Sequence, residues 1–493
     1  MPFFSRLSLS ILTLIFTTKA SSWQMPAEYP IQASPNGRHF VTSTGEPFFW
    51  QADTAWVMFH RLKLTEVQKY RDDRAAKGFN MLLAVAVNQF GKVDQDPNRA
   101  GDLPLLNRDP TKPNEPYWTH VDEVVQMAWE RGIRIAMFPS WGNYIHDNVD
   151  NPKSINASNA RAFGTWIGKR YPGLPKMLVA DTNPYWTNKS AVSNNYKLGG
   201  RHETLRYTDY SAVYDELAAG LIEGEESKAM ITIHCTNQWF EGGTIALASA
   251  FFGDRKWLTF DTSQSGHASY PPNPPIPWWN AARGYEPVEL MYASTNPRPV
   301  LDNGAKYENR YDNSKPVNPY GNASDVVLML SEVFSGAAGL TYGADNVMQF
   351  YIPDLFEPAN SGPARSWAED IHLPGSSQMQ YIKKVILNRP SPLDRVPDQS
   401  IIVGDSGTDA KHVTAIRDGN GRWLMVYTPT RKAFTIDTSS LGEGSVESSW
   451  YDPLTGICQV FEWQRRLGNV TFTPPLNGMH SDWVLVLETK NNA

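Results

Sequence analysis

The stretch Met177-Leu-Val-Ala-Asp-Thr-Asn-Pro-Tyr-Trp186 stops a short apolar run at a carboxylate, Asp181, and follows it with turn-forming Asn183-Pro184 and two large aromatics. A carboxyl at the tip of a buried strand, with flat apolar walls beside it, suits a pocket that handles sugars. The same residue types also make an ordinary helix N-cap or Asx-turn, so the rest of the chain has to decide. Phe48 to Asp53 is a second strand-like run ending in an acid, and further such ends carry Asn88, Trp141, His234, Gln264 with His267, and the segment from Asp302 to Glu308. Carboxylates, a histidine and several tryptophans on one rim match the needs of glycosidic bond cleavage. One acid protonates the leaving oxygen, and a second attacks the anomeric carbon or activates water. The expected pair is Asp181 and an acid within 302–308. Each residue also has a plainer use: Asp53 can cap the segment that follows, a lone His267 can be structural, and Trp141 and Trp186 can plug a core. The ten histidines show no HExxH or paired spacing, so a site without metal or other cofactor is expected.

The elements that must hold these residues alternate regularly. Met81 to Val87 is a continuous apolar run, the mark of a strand covered on both faces. Arg134 to Ser140, the run ending at Asp181, Met230 to Thr236, Leu258 to Gly266, Pro299 to Ala305 and Ala338 to Ala344 continue the series. Between them lie helical patterns. Thr65-Glu-Val-Gln68 reads as a capping box for a helix stopped by Gly78, and Thr119 reads as the cap of a helix with Val121, Val124, Val125 and Ala128 on one face, ended by Gly132. Further helices are expected around 158–170, from Asp209 onward, and at 322–335 and 376–388. A loop of about thirty residues after Val87 is long enough to be a functional insertion. Gly336-Ala-Ala-Gly339 reads as close helix–strand packing. Eight strands in βα units predict a closed (β/α)₈ barrel. A doubly wound open sheet is the alternative, but no glycine-rich phosphate fingerprint follows the first strand. In a barrel the site forms at the C-terminal strand ends.

After Pro390-Ser-Pro392 the texture changes to short strands between Gly, Asp, Asn and Pro turns, which predicts an all-β sandwich over 393–490. At the other end, Arg6, an apolar run from Leu7 to Phe16 and small residues near position 20 make a secretory signal peptide over residues 1–22. A secreted, extracellular protein is therefore expected, and the sequons at Asn156, Asn188, Asn322 and Asn469 fit a glycoprotein. With 493 residues and a net charge of −6, the chain is too long for one ordinary domain and too acidic for a nucleic-acid partner. No later segment approaches a membrane span. The two cysteines, Cys235 and Cys458, offer neither a metal site nor an obvious staple. Seventeen Trp and 21 Tyr serve large cores and sugar clefts alike.

The motifs Phe49-Trp-Gln-Ala-Asp-Thr-Ala-Trp56, Arg74-Ala-Ala-Lys-Gly-Phe-Asn80, Tyr117-Trp-Thr-His-Val-Asp122, Phe138-Pro-Ser-Trp-Gly142, Asp181-Thr-Asn-Pro184, Gln264-Ser-Gly-His267, Pro299-Val-Leu-Asp302 with Tyr307-Glu308, and Gly336-Ala-Ala-Gly-Leu-Thr-Tyr-Gly343 resemble the apiosidase-like (β/α)₈ glycoside hydrolases (family 140 and relatives). Trp450-Tyr-Asp-Pro-Leu-Thr-Gly456, Phe472-Thr-Pro-Pro475 and Asp482-Trp-Val-Leu485 resemble the collagen-binding-type domain that follows such barrels. The resemblance implies a barrel over 30–390 that hydrolyses plant cell-wall polysaccharide, with apiose- or arabinose-like branches of pectin as substrate; a monomer is expected. It implies Asp181 as general acid/base and Glu308 as nucleophile or base. Asp53, Trp56, Asn88, Trp141, Trp186, His234, His267, Asp302 and Tyr307 are expected to bind substrate. The family's Gly-Gly-Asp is Val179-Ala180-Asp181 here. Its Gly-Glu-Pro-x-Tyr-Glu after the seventh strand is Asn303 to Glu308, with Gly304 in place of the first glutamate. That replacement favours a second reading, a carbohydrate-binding protein on a degenerate glycosidase scaffold. A third reading is adhesion to a fibrous protein through the sandwich.

Overall fold

The computed structural model describes residues 23–88, 97–146, 154–187, 207–225, 228–236, 246–267, 281–311, 321–358, 362–463, 468–476 and 481–490; the expected signal peptide lies outside them. A small antiparallel sheet, Ile31–Ala33, Phe40–Thr42 and Pro47–Phe48, leads into eight strands. These are β1 (Trp50–Thr54), β2 (Met81–Val87), β3 (Arg134–Trp141), an interrupted β4 (Lys176–Met177 and Val179–Ala180), β5 (Ile231–Thr232), β6 (Asp261–Ser263), β7 (Val300–Asp302) and β8 (Gly339–Tyr342). All pair in parallel, in the order β5-β4-β3-β2-β1-β8, with β6 beside β7. Two seams join the groups. The Thr259 N–H donates to the Ile231 carbonyl between β5 and β6, and the Ala338 N–H donates to the Val300 carbonyl between β7 and β8, each at 2.9 Å. The cyclic order is complete. The chain forms the expected (β/α)₈ barrel, and the open-sheet alternative is excluded.

One main helix follows each strand: α1 (Leu64–Ala76), α2 (Glu115–Trp129), α3 (Ala160–Arg170), α4 (Ser211–Gly224), α5 (Ala248–Phe252), α6 (Tyr285–Tyr292), α7 (Met329–Phe334, preceded by a short helix at Ala323–Val327) and α8 (Pro374–Leu387). Gly78 and Gly132 stop α1 and α2 in left-handed turns, at φ of 78° and 72°. The expected caps are displaced. α1 begins before Thr65, with Glu66 accepting the Lys63 N–H at 2.7 Å. α2 begins after Asn114 with Pro116 in its first turn, which leaves Thr119 inside the helix. β2 is buried at every position, as its unbroken apolar run requires. Gly339 lets β8 lie against β1, because a Cβ there would fall 2.5 Å from the Trp50 Cβ.

The C-terminal domain is a sandwich. A six-stranded sheet runs in the order Arg395–Pro397, Thr414–Asp418, Trp423–Thr428, Trp483–Lys490, Ser445–Tyr451, Cys458–Phe461, and it faces a three-stranded sheet of Ile402–Val403, Phe434–Asp437 and Asn469–Phe472. The first and last strands of the larger sheet have no clear apolar signal and were not expected. Cys235 and Cys458 are free. Among the described residues no helix is long and apolar enough to cross a membrane.

Candidate active site

β4 ends at Ala180, and Asp181 leaves it with φ 51°, a left-handed conformation that costs a residue with a Cβ roughly 1–2 kcal/mol. The turn that holds this strain is tied on both sides. The Thr182 hydroxyl lies 3.0 Å from His146 Nε2, and the Asn183 amide donates to the Thr236 hydroxyl. The Asp181 carboxyl is solvent-accessible, yet the surrounding walls strip enough water from it to push its pKa up, against the pull of His234 and Arg310.

His234 leaves the end of β5 beside it. Its Nδ1 accepts the Asp181 backbone N–H at 3.3 Å, so Nε2 carries the proton and donates to the Asn303 carbonyl at 3.4 Å. Burial lowers the pKa of this imidazole, which keeps it in that neutral tautomer. The floor is closed by Asn303, whose Oδ1 accepts from the Thr341 hydroxyl at 3.0 Å.

Aromatic rings stand around this floor. Trp56 meets His234 edge-on at 5.2 Å, Phe138 at 4.9 Å and Trp141 at 5.7 Å. Tyr307 lies 4.0 Å from the His267 ring, and His267 Nδ1 is tied to the Ala305 carbonyl at 2.9 Å. Burial raises the Tyr307 pKa to about 12, while hydrogen bonds to Thr54 and Trp56 and the charge of Arg310 oppose it. Trp56, Trp141, His234, His267 and Tyr307 are thus assembled near Asp181. Asn88 is buried at the end of β2, where its carbonyl accepts from the Tyr144 hydroxyl at 3.3 Å. Trp186 sits in a short antiparallel ladder opposite Thr208.

The other acids go elsewhere. Glu308 follows Tyr307 in extended chain and therefore faces the opposite side. Its Oε2 accepts from the Tyr342 hydroxyl at 2.6 Å and its Oε1 from the Gly375 N–H at 3.2 Å, in the first turn of α8. Burial raises its pKa, while its bonds to Tyr342 and Gly375 and the charge of Arg74 oppose that rise. Asp53 is fully buried, paired with Arg74 Nε at 2.5 Å and the Tyr70 hydroxyl at 2.6 Å behind β1, where it braces the barrel wall. Asp302 turns outward as well. Its Oδ1 accepts the Ser265 and Gly304 N–H groups at 3.2 and 3.0 Å, and burial lifts its pKa to about 6. The structure brings neither Glu308 nor Asp53 nor Asp302 to Asp181. Among the described residues, no cluster of His, Cys, Asp and Glu is arranged to hold a metal ion.

Two neighbours of Asp181 had no assigned role in the sequence reading. Arg310 lies near its carboxyl, near the Tyr307 ring at 5.8 Å, and pairs with Asp345 at 3.2 Å. Gln264 turns its amide to two acceptors, so its nitrogen is assigned to the side that meets them, 3.3 Å from Asp181 Oδ1 and 3.0 Å from the Cys235 carbonyl. Position 264 was legible as a strand end, whereas nothing in the sequence marked Arg310.

The family model "Apiosidase-like, catalytic domain" matches residues 34–392, and "Putative collagen-binding domain of a collagenase" matches 396–488. A glycoside hydrolase family 5 protein from Bacteroides vulgatus superposes with TM-score 0.78 at 25% identity, over 93% of this chain and 92% of its own. A structure described as a glycoside hydrolase superposes with TM-score 0.78 at 23% identity, over 93% and 97%. No match was found among curated proteins. With an acid presented at the fourth strand end of a closed barrel, and a family model that spans that whole barrel, the chain belongs to the apiosidase-like catalytic-domain family and, as a member of it, is a glycoside hydrolase.

Proposed function

We propose that this protein is secreted and cleaves branches of a plant cell-wall polysaccharide, with apiose- or arabinose-like side chains of pectin as the substrate class, and that Asp181 is its general acid/base. One observation carries the reading: the Asp181 carboxyl stands open at the end of β4, with raised pKa, between neutral His234 and a wall of Trp56, Tyr307 and His267. A raised pKa keeps the carboxyl protonated closer to neutrality, the state a general acid needs. Flat rings beside it offer apolar faces to a sugar, while the polar groups between them fix its hydroxyls. Among the described residues no second carboxylate faces Asp181, so we assign the nucleophile or base to none of them. Glu308 supports the wall through Tyr342 and α8.

The test is turnover on a panel of pectic and hemicellulosic oligosaccharides. Asp181→Asn is expected to keep the melting temperature and lose roughly 10²–10⁴-fold in rate. An unchanged rate would sink the assignment. Tight glycan binding by calorimetry without turnover in the wild type would favour the binding-protein reading, which Gly304 supports.

A further inference from the structure

The geometry points to Gln264 as the positioning residue for Asp181, and to Gly304 as the position that makes room for it. The consequence for turnover rests on the acid role proposed above; the geometry does not. Gly304 is not among the glycines with positive φ, so its backbone conformation does not demand glycine. Space does. A Cβ at 304 would overlap Gln264 Cγ and lie 2.9 Å from its Cδ and 3.1 Å from its Cβ. The backbone cannot step aside, because the Gly304 N–H is held by Asp302 Oδ1 at 3.0 Å and its carbonyl by the Gly266 N–H at 2.9 Å. The side chain of Gln264 therefore crosses the Cα of Gly304 and brings its amide between two acceptors; with the nitrogen assigned to that side, it donates one proton to the Cys235 carbonyl and one to Asp181 Oδ1. The Cys235 carbonyl fixes the amide plane, and the amide in turn fixes the carboxyl. Oδ2, which has no hydrogen-bond partner among the described residues, is left to carry the proton.

A donor aimed at a carboxylate favours its charged form. Gln264 thus holds the Asp181 pKa below the value that burial alone would set. The charged and titratable groups that act on Asp181 alongside it are His234 from the end of β5, and Arg310 and Tyr307 from the segment after β7.

The experiment is a ¹³C-carboxyl NMR titration of the full chain labelled at aspartate, with the Asp181 signal assigned by its loss in Asp181→Asn. Gln264→Ala is expected to raise the Asp181 midpoint by on the order of one pH unit, and Gln264→Glu, which replaces a donor by a negative charge, by more. Gly304→Ala is expected to raise it as Gln264→Ala does, by expelling the amide. In the Gln264→Ala background Gly304→Ala should then add nothing. Gln264→Met, which keeps the bulk without the donor, repeats the measurement should the alanine variant fold poorly. An unchanged midpoint in the folded Gln264 variants, or effects at 264 and 304 that simply add, would overturn the inference. If the midpoints move as expected while the wild type turns over no glycoside, Gln264 keeps its positioning role and the proposed hydrolysis alone is lost.

Discussion

Asp302 and Asp181 are both strand-end aspartates with raised pKa, yet they differ in what burial does for them. Asp181 stands exposed at the end of β4. Asp302 is 1% exposed, its Oδ2 has no partner among the described residues, and its charge acts on buried Glu332, whose own pKa is pushed well up by burial and then by Asp302. A carboxyl raised from 3.8 to about 6 binds its proton more tightly in the folded state. Its contribution is fully present below pH about 4 and is lost as pH rises through about 6, a swing on the order of 3 kcal/mol. Asp302→Asn keeps an acceptor for the Ser265 and Gly304 N–H groups and removes the charge. It is expected to flatten the loss of stability between pH 4 and 7, and to be the more stable protein at pH 7 by about 1–3 kcal/mol in urea unfolding. Parallel stability–pH curves for the two proteins would refute this. The same residue scale explains what the sequence concealed. Asp302 and Glu308 are acids at strand ends, but whether such an acid faces the cleft or the helix layer depends on side-chain parity along the chain. Tyr307 takes the cleft side and Glu308 the other.

Elements were more legible than residues where a barrel strand buried on both faces reads as an unbroken apolar run, as at Met81–Val87. Caps were less legible: Glu66 reaches back to a lysine backbone, and no preferred cap residue announces that start. The glycines inside α3 and α4, the pair of helices that flanks the strand presenting Asp181, carry no local signal that marks them as contact points. A Cβ at Gly164 would lie 2.9 Å from the Leu221 nitrogen, and one at Gly220 would lie 2.8 Å from the Thr165 nitrogen and overlap the Arg161 carbonyl. The helices touch backbone to backbone. Alanine is the better helix former by about 0.8–1 kcal/mol, so propensity alone favours Gly220→Ala, but overpacking rigid backbone costs typically 1–3 kcal/mol or more. Packing wins here. Gly220→Ala is expected to lower stability by about 1–2 kcal/mol in thermal or urea unfolding, and a stabilised variant would show that the helices can part without loss.

At the scale of the molecule, the six-stranded sheet is apolar on both faces. Along Trp423–Thr428 the residues Leu424 and Val426 enter the sandwich core, while Trp423, Met425 and Tyr427 belong to the core of the barrel; Leu485 and Leu487 alternate in the same way with Val484 and Val486. Phe334 of α7 meets the Tyr427 ring at 6.4 Å, the Tyr451 hydroxyl donates to the Tyr381 carbonyl of α8 at 2.8 Å, and Trp423 Nε1 donates to the Pro390 carbonyl at 2.9 Å. A sheet used on both sides leaves neither broad face for a fibrous partner and makes the domain a wall of the barrel. Domains that share a large apolar interface are not expected to move or melt apart, so the full chain should unfold in one calorimetric transition. Met425→Asp places a charge at a fully buried position on the barrel side, at a cost of several kcal/mol. It should lower the whole transition, whereas Val460→Asp on the outer strand, 71% exposed, should shift stability by no more than about 0.5 kcal/mol. If Met425→Asp melts the sandwich early and leaves the barrel transition where it was, the two cores are independent, and the domain has to have another reason to be there.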